Sequence, residues 1–476
     1  LNTPEILAIV STIFTLSVAF LFFRYIYWGV ISRRHYWKKT DDLSAESLLS
    51  ETRAKNMELP CFTIMIPARD EADVIANTVD HMSSLDYPRD KYEIMVITDA
   101  KELRVKKNDP HKITTGDIVE QKIMEFAARK NAPVLRHLTV PYDFDGRVGG
   151  ICLSREVAST KARALNYGLS HINGKTTICS FFDAESRPES KVLLYIAARY
   201  LASSGRRKLW QGPVFQVRNF YHLSPINKII AVYQALAHEW YLPVLMKSIP
   251  FLGGTNLHVE RELLQSIGGY DHTALSEDLE LGVRSYLETG HWPEYIPIVS
   301  TEQTPASYKA YYRQRLRWAS GHLQVFDKLR AAMAYPDSVR IPLLRTLFIK
   351  GHAQWYLYQA LVLFPYVFLA LTLSGKIDPF AVPEKIRYLL SWLTPLYYSF
   401  TFYLFYRFRK YIDFSLAPSG ICRYLPALQM AILPIAGILV VLPFSCALIL
   451  RGLHRQPQVW VKTPRTREIS TKILQD

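Results

Sequence analysis

The chain has 476 residues, 49% of them hydrophobic, with 57 Lys+Arg against 42 Asp+Glu and a net charge of +15. At roughly 150 residues per domain this length allows two or three structural units with a sizeable core, and 13% aromatics with 21 Gly and 27 Pro exclude disordered, collagen-like and low-complexity classes. The basic excess sits beside apolar segments, without Lys/Arg runs interleaved with aromatics, and so points to a membrane surface and not to nucleic acid.

Ile6–Phe23 is an uncharged stretch of 18 residues, long enough to cross a bilayer of ~30 Å. It has no basic region before it and no small-residue cleavage site, which argues against a cleaved signal peptide. Arg24, Arg33, Arg34, Lys38 and Lys39 come after it, so the positive-inside rule places the chain beyond Arg33 in the cytoplasm. A polar linker comes next. From Cys61 to about Gly321 the pattern is that of a soluble domain. CFTIMIP, YEIMVITDA ending at Asp99, PVLRHLTV and TTICSFFDAES read as strands, with helices expected over Ala72–Met82 and Ser159–His171. Strands alternating with helices predict an α/β fold with a mixed, mostly parallel sheet, whose ligands bind beyond the strand carboxyl ends. The acids Asp99, Asp183 and Glu185 fall at such ends.

Residues Tyr308–Lys350 mix aromatics with Arg and Lys and predict amphipathic helices at the membrane interface. Ala353–Leu373, Tyr388–Phe405 and Tyr424–Leu450 are each long enough to span, although Pro426, Pro434 and Pro443 predict that the last is broken or re-entrant. Three spans would also put the basic tail (Arg451, Arg455, Lys462, Arg465, Arg467) on the outer side, against the positive-inside rule. The expected division is a transmembrane helix over 1–35, a linker over 36–60, a catalytic domain over 61–305, interface helices over 306–350, C-terminal transmembrane helices over 351–450 and a cytoplasmic tail over 451–476. The five cysteines (Cys61, Cys152, Cys179, Cys422, Cys446) are odd in number and lack CxxC spacing. They read as buried small hydrophobes in a reducing compartment.

Three constellations carry chemistry. Asp183-Ala184-Glu185 ends an apolar strand, and two carboxylates at i and i+2 suit a hard divalent cation that also holds diphosphate oxygens; alone, the pattern also fits a solvated turn. Ser276-Glu277-Asp278 opens a helix. Ser276 is a helix N-cap with early acids favoured by the dipole, or Asp278 is a general base, since an ordinary Asp near pKa ~4 is ionised at neutral pH. In Gln314-Arg315-Leu316-Arg317-Trp318, helical spacing puts Gln314, Arg317 and Trp318 on one face. Arg pairs a diphosphate and Trp offers a flat surface to a sugar; an interfacial helix is the plain alternative.

In this order, and between membrane segments, the three motifs are far more specific than any one. With them the chain resembles the membrane-embedded inverting glycosyltransferases of family 2: the cellulose, hyaluronan and chitin synthases and the ceramide-type lipid glucosyltransferases. The resemblance implies a GT-A type nucleotide-sugar-binding domain over roughly 61–321, flanked by N- and C-terminal transmembrane helices. It assigns Asp99 to the uridine, Asp183 and Glu185 to a Mg²⁺ or Mn²⁺ ion, Glu277 and Asp278 to catalysis with Asp278 as base, and Gln314, Arg315, Arg317 and Trp318 to the donor diphosphate and acceptor entrance. Pro67, Arg69 and Glu71 fall on the family's first nucleotide-contacting loop, Lys161 in the segment Ser159–Asn166 near the donor, and Gly254 and Thr255 in the loop Phe251–Asn256 that floors the acceptor site. The segment Trp460-Val461-Lys462-Thr463-Pro464-Arg465 is similar to a gating segment that comes after the last span in the synthases.

The sequence departs from the family in three places. The second metal ligand is Glu185, Asp99 is followed by Ala-Lys-Glu, and 101–158 carries extra polar sequence, including PYDFDGRVGG, read as an insertion near the acceptor site. The expected reaction is a single displacement from a nucleoside-diphosphate sugar, most readily a UDP-sugar, to a hydroxyl acceptor. A growing polysaccharide is the first acceptor, and a diacylglycerol, ceramide or polyprenyl lipid the alternative. A transporter or receptor with a nucleotide-binding domain is the remote alternative, disfavoured because the C-terminal spans hold almost no ionisable residues. The expected location is a bacterial-type inner or plasma membrane with the catalytic domain in the cytoplasm.

Overall fold

In the computed structural model of the chain, which describes residues 3–37, 44–54, 57–455, 457 and 463–468, the polypeptide divides into two units. Lys38 and Lys39, and the Trp460-Val461-Lys462 part of the tail motif, lie outside the described residues.

One unit comprises Tyr36–Phe215, Leu245–Gln303 and Gln458–Asp476. Its strands in chain order are β1 (Phe62–Pro67), β2 (Tyr92–Asp99), β3 (Val134–Val140), β4 (Ile178–Phe181), β5 (Arg187–Pro188), β6 (Leu209–Gln211), β7 (Val214–Phe215), β8 (Leu257–Glu260), β9 (Glu294–Tyr295) and β10 (Ser300–Thr301). Seven form one sheet in the order β3-β2-β1-β4-β8-β6-β9. It is parallel except where β8 lies antiparallel to β4 and β6. The predicted mixed, mostly parallel α/β sheet is therefore present.

The period-2 alternation of β1 sorts its side chains between two cores. Phe62, Ile64 and Ile66 join Ile94 and Val96 of β2 on one face, under the helices Ile75–Ser83, Thr115–Ala127 and Val192–Ala202. Met65 joins Met95 and Ile97 on the other, under Lys161–Leu169 and Arg261–Ser266. In-register pairs such as Ile64↔Ile94 and Met65↔Met95 keep the two sets apart. A helix, Ala45–Ala54, occupies part of the segment expected to be a linker. Thr115–Ala127, started by a Thr114/Asp117 capping box, lies within the stretch to which the sequence assigned no element.

The other unit comprises Leu1–His35, Gln216–Val244 and Thr304–Pro457 and is helical. Among the described residues three helices are long and apolar enough to cross a membrane: Thr3–His35, Asp337–Leu373 and Ile435–Gly452. Glu384–Phe408 is one continuous helix but is not among the three, because Ser, Thr, Tyr and Pro dilute its apolar character. The segment Tyr424–Leu450 is broken, as its prolines predict: the short helical turns Leu425–Leu428 and Gln429–Ile432 precede the helix Leu433–Gly452. The cysteines are also not uniformly buried, since Cys152 is exposed.

Candidate active site

The apolar run of β4 continues through Phe182 and ends in a tight turn. There the Asp183 backbone N–H donates to Ser186 Oγ at 3.0 Å and to Thr255 Oγ1 at 3.2 Å. Glu185 is wholly buried. The three-stranded sheet β5-β10-β7 then brings in a residue that sequence reasoning missed. β10 runs antiparallel to β5, with Thr301 opposite Arg187, so the next residue, Glu302, arrives beside Ser186. Its carboxylate accepts from Ser186 Oγ at 2.5 Å and from Thr255 Oγ1 at 2.7 Å. A lone Glu after a two-residue strand gives no local signal. Oxygens of Asp183, Glu185 and Glu302 lie within 4.8 Å of one another. Three converging carboxylates fit a hard divalent cation such as Mg²⁺ or Mn²⁺, which takes oxygen donors.

Two cationic side chains enter this acid cluster. Thr160 caps the helix Lys161–Leu169, its hydroxyl accepting from the Arg163 N–H. Lys161 thus stands at the first helical position, where the dipole disfavours a cation. It is held there by the Asp183 carboxylate and by the Gly254 carbonyl at 2.8 Å. Burial opposes its charge, but Asp183, with Glu277 and Asp278, raises its pKa above the usual lysine value. The second cation is Arg465. Its Nη1 lies 2.6 Å from Glu185 and its Nε 3.8 Å from Glu71. Burial again opposes the charge and Glu185 and Glu71 outweigh it, raising the guanidinium pKa. Gln303 docks this tail segment beside Glu302, donating to the Thr466 carbonyl at 2.9 Å and accepting its N–H at 2.8 Å.

Burial, together with the crowding of neighbouring carboxylates, pushes the Glu185 and Glu302 carboxyls up, Glu185 despite Arg465. The folded chain therefore holds protons that the unfolded chain has already released. Between the ordinary carboxylate pKa, ~4.3, and the raised ones, stability falls as pH rises. We expect the unfolding temperature of cation-free protein to decline through that window, and Mn²⁺ to flatten the decline because it binds the deprotonated ligands. Differential scanning at a series of pH values, with and without Mn²⁺, checks this; a pH-independent difference would refute it.

Asp278 enters from the helix Glu277–Thr289. Ser276 is its N-cap residue but its side chain makes no cap bond, which corrects the capping expectation; Asp278 Oδ1 instead accepts the Leu279 N–H at 2.8 Å. Gly254 has a φ of +72°, and a Cβ there would sit 2.8 Å from Asp278 Oδ2. The loop thus packs its backbone directly against the proposed base, while its carbonyl reaches Lys161 and, through Lys161, Asp183. Gly254→Ala is expected to cost about 1–2 kcal/mol through the left-handed backbone and to displace the Asp278 carboxylate. A loss of transfer rate far larger than the loss of stability is the outcome that activity and melting measurements should show. Tyr270, which the sequence reading passed over, is buried close enough to Glu277 and Asp278 that, after burial itself, these two acids raise its pKa.

The remaining predicted residues divide. Glu71 joins the acid cluster through Arg465, its N–H held by Thr115 Oγ1 at 2.8 Å. Pro67 ends β1, and Arg69 is half-exposed beside Asp70, whose φ is +54°. Asp99 is buried in an ion pair with Arg163 at 3.0 Å. Arg163 also donates to the carbonyls of Phe144 and Pro141, holding down the loop that contains PYDFDGRVGG. Gln314, Arg315, Arg317 and Trp318 lie on the helix Tyr308–Ala331 of the helical unit. Arg315 is buried there, its Cζ 3.8 Å from the Trp318 ring centroid and its Nη2 3.0 Å from Gln216 Oε1.

The family described as glycosyl transferase family group 2 matches residues 180–444, more than half of the chain. A probable glycosyltransferase of Bacillus subtilis, YdaM, is 28% identical over 67% of this chain and 68% of its own length. A beta-monoglucosyldiacylglycerol synthase of Trichormus variabilis is 24% identical over 56% of this chain, and the match spans 50% of the synthase. A probable glucomannan 4-beta-mannosyltransferase of Oryza sativa is 24% identical over 62% of this chain and 47% of its own length. Among solved structures, a mannosyltransferase from Pyrobaculum calidifontis, described in complex with GDP-Man and Mn²⁺, is 18% identical with a TM-score of 0.46, covering 95% of this chain and 100% of its own.

Proposed function

Because this chain belongs to glycosyl transferase family group 2 and is a hexosyltransferase, we propose that it is a membrane-bound inverting enzyme that transfers a hexose from a nucleoside-diphosphate sugar, probed first as UDP-sugar, to a hydroxyl acceptor. The observation that carries this reading is the single acid cluster in which Asp183, Glu185 and Glu302 meet, linked through Lys161 and Gly254 to Asp278. The three carboxylates are the proposed ligands of Mg²⁺ or Mn²⁺. When bound, the cation supplies positive charge for the departing diphosphate. Lys161 holds Asp183 in place and adds charge on the same side. Asp278 takes the proton of the acceptor hydroxyl as it attacks the anomeric carbon from the face opposite the leaving group, so an α-linked donor gives a β product. Arg317 and Trp318 are proposed to meet the donor diphosphate and the acceptor.

Among the described residues two C-terminal helices, Asp337–Leu373 and Ile435–Gly452, are long and apolar enough to cross a membrane, and so few support a lipid acceptor. The Gln314–Trp318 string supports the processive alternative. Purified protein, given each UDP- and GDP-sugar with and without Mn²⁺, tests the whole reading. A chloroform-soluble glycolipid supports the lipid acceptor, a high-mass polysaccharide supports processive synthesis, and no turnover with any donor refutes both. The span count also bears on sidedness. Two spans among the described C-terminal residues would return the chain to the side it left, in keeping with the ion pair of the tail's Arg465 and Glu185 within the catalytic unit. The positive-inside rule then assigns both to the cytoplasm. Protease protection of an epitope after residue 468 in sealed inside-out vesicles would contradict this.

A further inference from the structure

The catalytic unit holds a basic hollow that the transfer reaction does not use. It is a cavity of about 430 Å³ lined by Ser203, Arg206, Arg207, Gly290, His291 and Trp292. Topology places it away from the acid cluster. Arg206 and Arg207 come just before β6, and His291 and Trp292 just before β9, which runs parallel to β6. β8 is antiparallel to both β4 and β6, so β4 and β6 run the same way. The acid cluster lies beyond the carboxyl end of β4, and the cavity therefore lies at the opposite, amino end of the sheet. The helix Glu277–Thr289 measures the separation, with Asp278 in its first turn and Gly290 as its C-cap. Its 13 residues span about 20 Å at 1.5 Å per residue.

No carboxylate lines the cavity. Of the acids that flank these residues in chain or sheet, Glu294 is paired with Arg199 and Glu260 with Lys208 at 2.5 Å, and Glu288 is solvent-exposed. Among the described residues Arg206 and Arg207 pair with no carboxylate. Arg206 Nε donates to the Ser203 carbonyl at 3.2 Å, and the Arg207 backbone N–H donates to Ser203 Oγ at 3.2 Å. The outer N–H groups of both guanidinium forks stay available. Two helices end here, and the partial negative charge of their carbonyl ends would oppose an anion. Caps take up that charge: the Ser203 N–H donates to the Arg199 carbonyl at 3.1 Å and the Gly290 N–H to that of Tyr286 at 2.9 Å. Burial first, and then the Lys208 ammonium, lower the His291 pKa, so a neutral imidazole adds an N–H without drawing in an acid. Trp292 is a fixed apolar wall, its Nε1 donating to the Met246 carbonyl at 2.6 Å and its ring edge-on to Tyr286 with centroids 4.9 Å apart. Gly290 leaves the front open, since a Cβ there would meet nothing within 4 Å. Adjacent arginines, a hydroxyl and a rigid aromatic wall match a phosphate carried on a ring, because the forks take phosphate oxygens and the indole takes the ring.

We propose that Ser203, Arg206, Arg207, His291 and Trp292 form a binding site for a ring-bearing phosphate monoester, separate from the donor site. This does not depend on which hexose or acceptor the enzyme uses. The purified full chain, in detergent and free of divalent cation, is dialysed to equilibrium against labelled adenosine monophosphate, and saturable binding is expected. Loss of one charge-assisted contact lowers affinity about tenfold, so Arg206→Gln and Arg207→Gln should each weaken binding by that factor. Both arginines are exposed, so melting curves of the two variants should match the wild type. Trp292→Leu should bring adenosine monophosphate down to the affinity of inorganic phosphate, and adenosine, which lacks the phosphate, should not compete. Glu302→Gln, which alters the acid cluster at the other end of the sheet, should leave binding unchanged. Vesicles containing phosphatidic acid present the same monoester on a lipid. Competition by them as strong as that by unlabelled adenosine monophosphate would assign the site to a headgroup and overturn the ring, as would equal affinity for inorganic phosphate in the wild type. Absence of saturable binding, binding that survives both arginine variants, or binding lost in Glu302→Gln would overturn the site itself.

Discussion

Asp278→Asn is expected to lower the transfer rate roughly 10²–10⁴-fold, the usual worth of a positioned general base, with little change in unfolding temperature. The geometry explains both halves. Asn keeps the side-chain oxygen that accepts the Leu279 N–H and fits the same space against Gly254, so the start of the helix Glu277–Thr289 is retained. It cannot take a proton from an attacking hydroxyl at neutral pH. The electrostatics of the site also change by one charge, which weakens the support for Lys161, but Asp183 remains its direct partner. Initial rates with saturating donor, compared with a melting curve, decide the matter. Near-full activity in a folded Asp278→Asn protein would remove Asp278 from the reaction and leave Glu277 as the next acid to test.

The second large effect is expected at Glu302, and its two readouts move in opposite directions. Glu302→Gln preserves the acceptor oxygen for Ser186 and Thr255, so the turn that shapes the site persists. It removes one of three clustered carboxylates, and Mn²⁺ affinity, read from the electron paramagnetic resonance of the free ion, should fall by roughly 10–100-fold, the scale of losses seen when a metal site is damaged. In the absence of cation the same substitution should raise stability. The folded state raises the pKa of Glu302, by burial first and by Asp183 next, so the ionised carboxylate is a cost that a neutral amide lacks. A residue serving only to hold the turn would lower stability and leave cation affinity unmoved, and that result would exclude Glu302 from the ligand set.

Local sequence was enough to specify the first four strands, β1–β4, because each needs only its own run of apolar residues. Phe62–Pro67 and Tyr92–Asp99 sort between two cores by period alone. It was also enough to put Asp183, Glu185 and Asp278 at element ends, since an apolar strand must stop where charge begins. Residues made visible by pairing were not legible. Glu302 matters because β10 pairs with β5, and two-residue strands have no periodicity to read. Arg163 looks like an ordinary helical residue, yet its burial beside Asp99 organises the loop that the sequence left without a role. Tyr270 is likewise defined by acids that come later in the chain but face it only after folding.

Short-range pattern and composition alone set the class of the protein: an α/β domain with acids at strand ends and basic residues bordering apolar spans. Which charges meet was settled only on folding. Chain segments far apart in sequence, ending in Glu71, Asp183, Glu302 and Arg465, converge because sheet order and the docking of the tail by Gln303 bring them together. The strength of a charge interaction depends on distance and burial, and neither is written in the order of the residues.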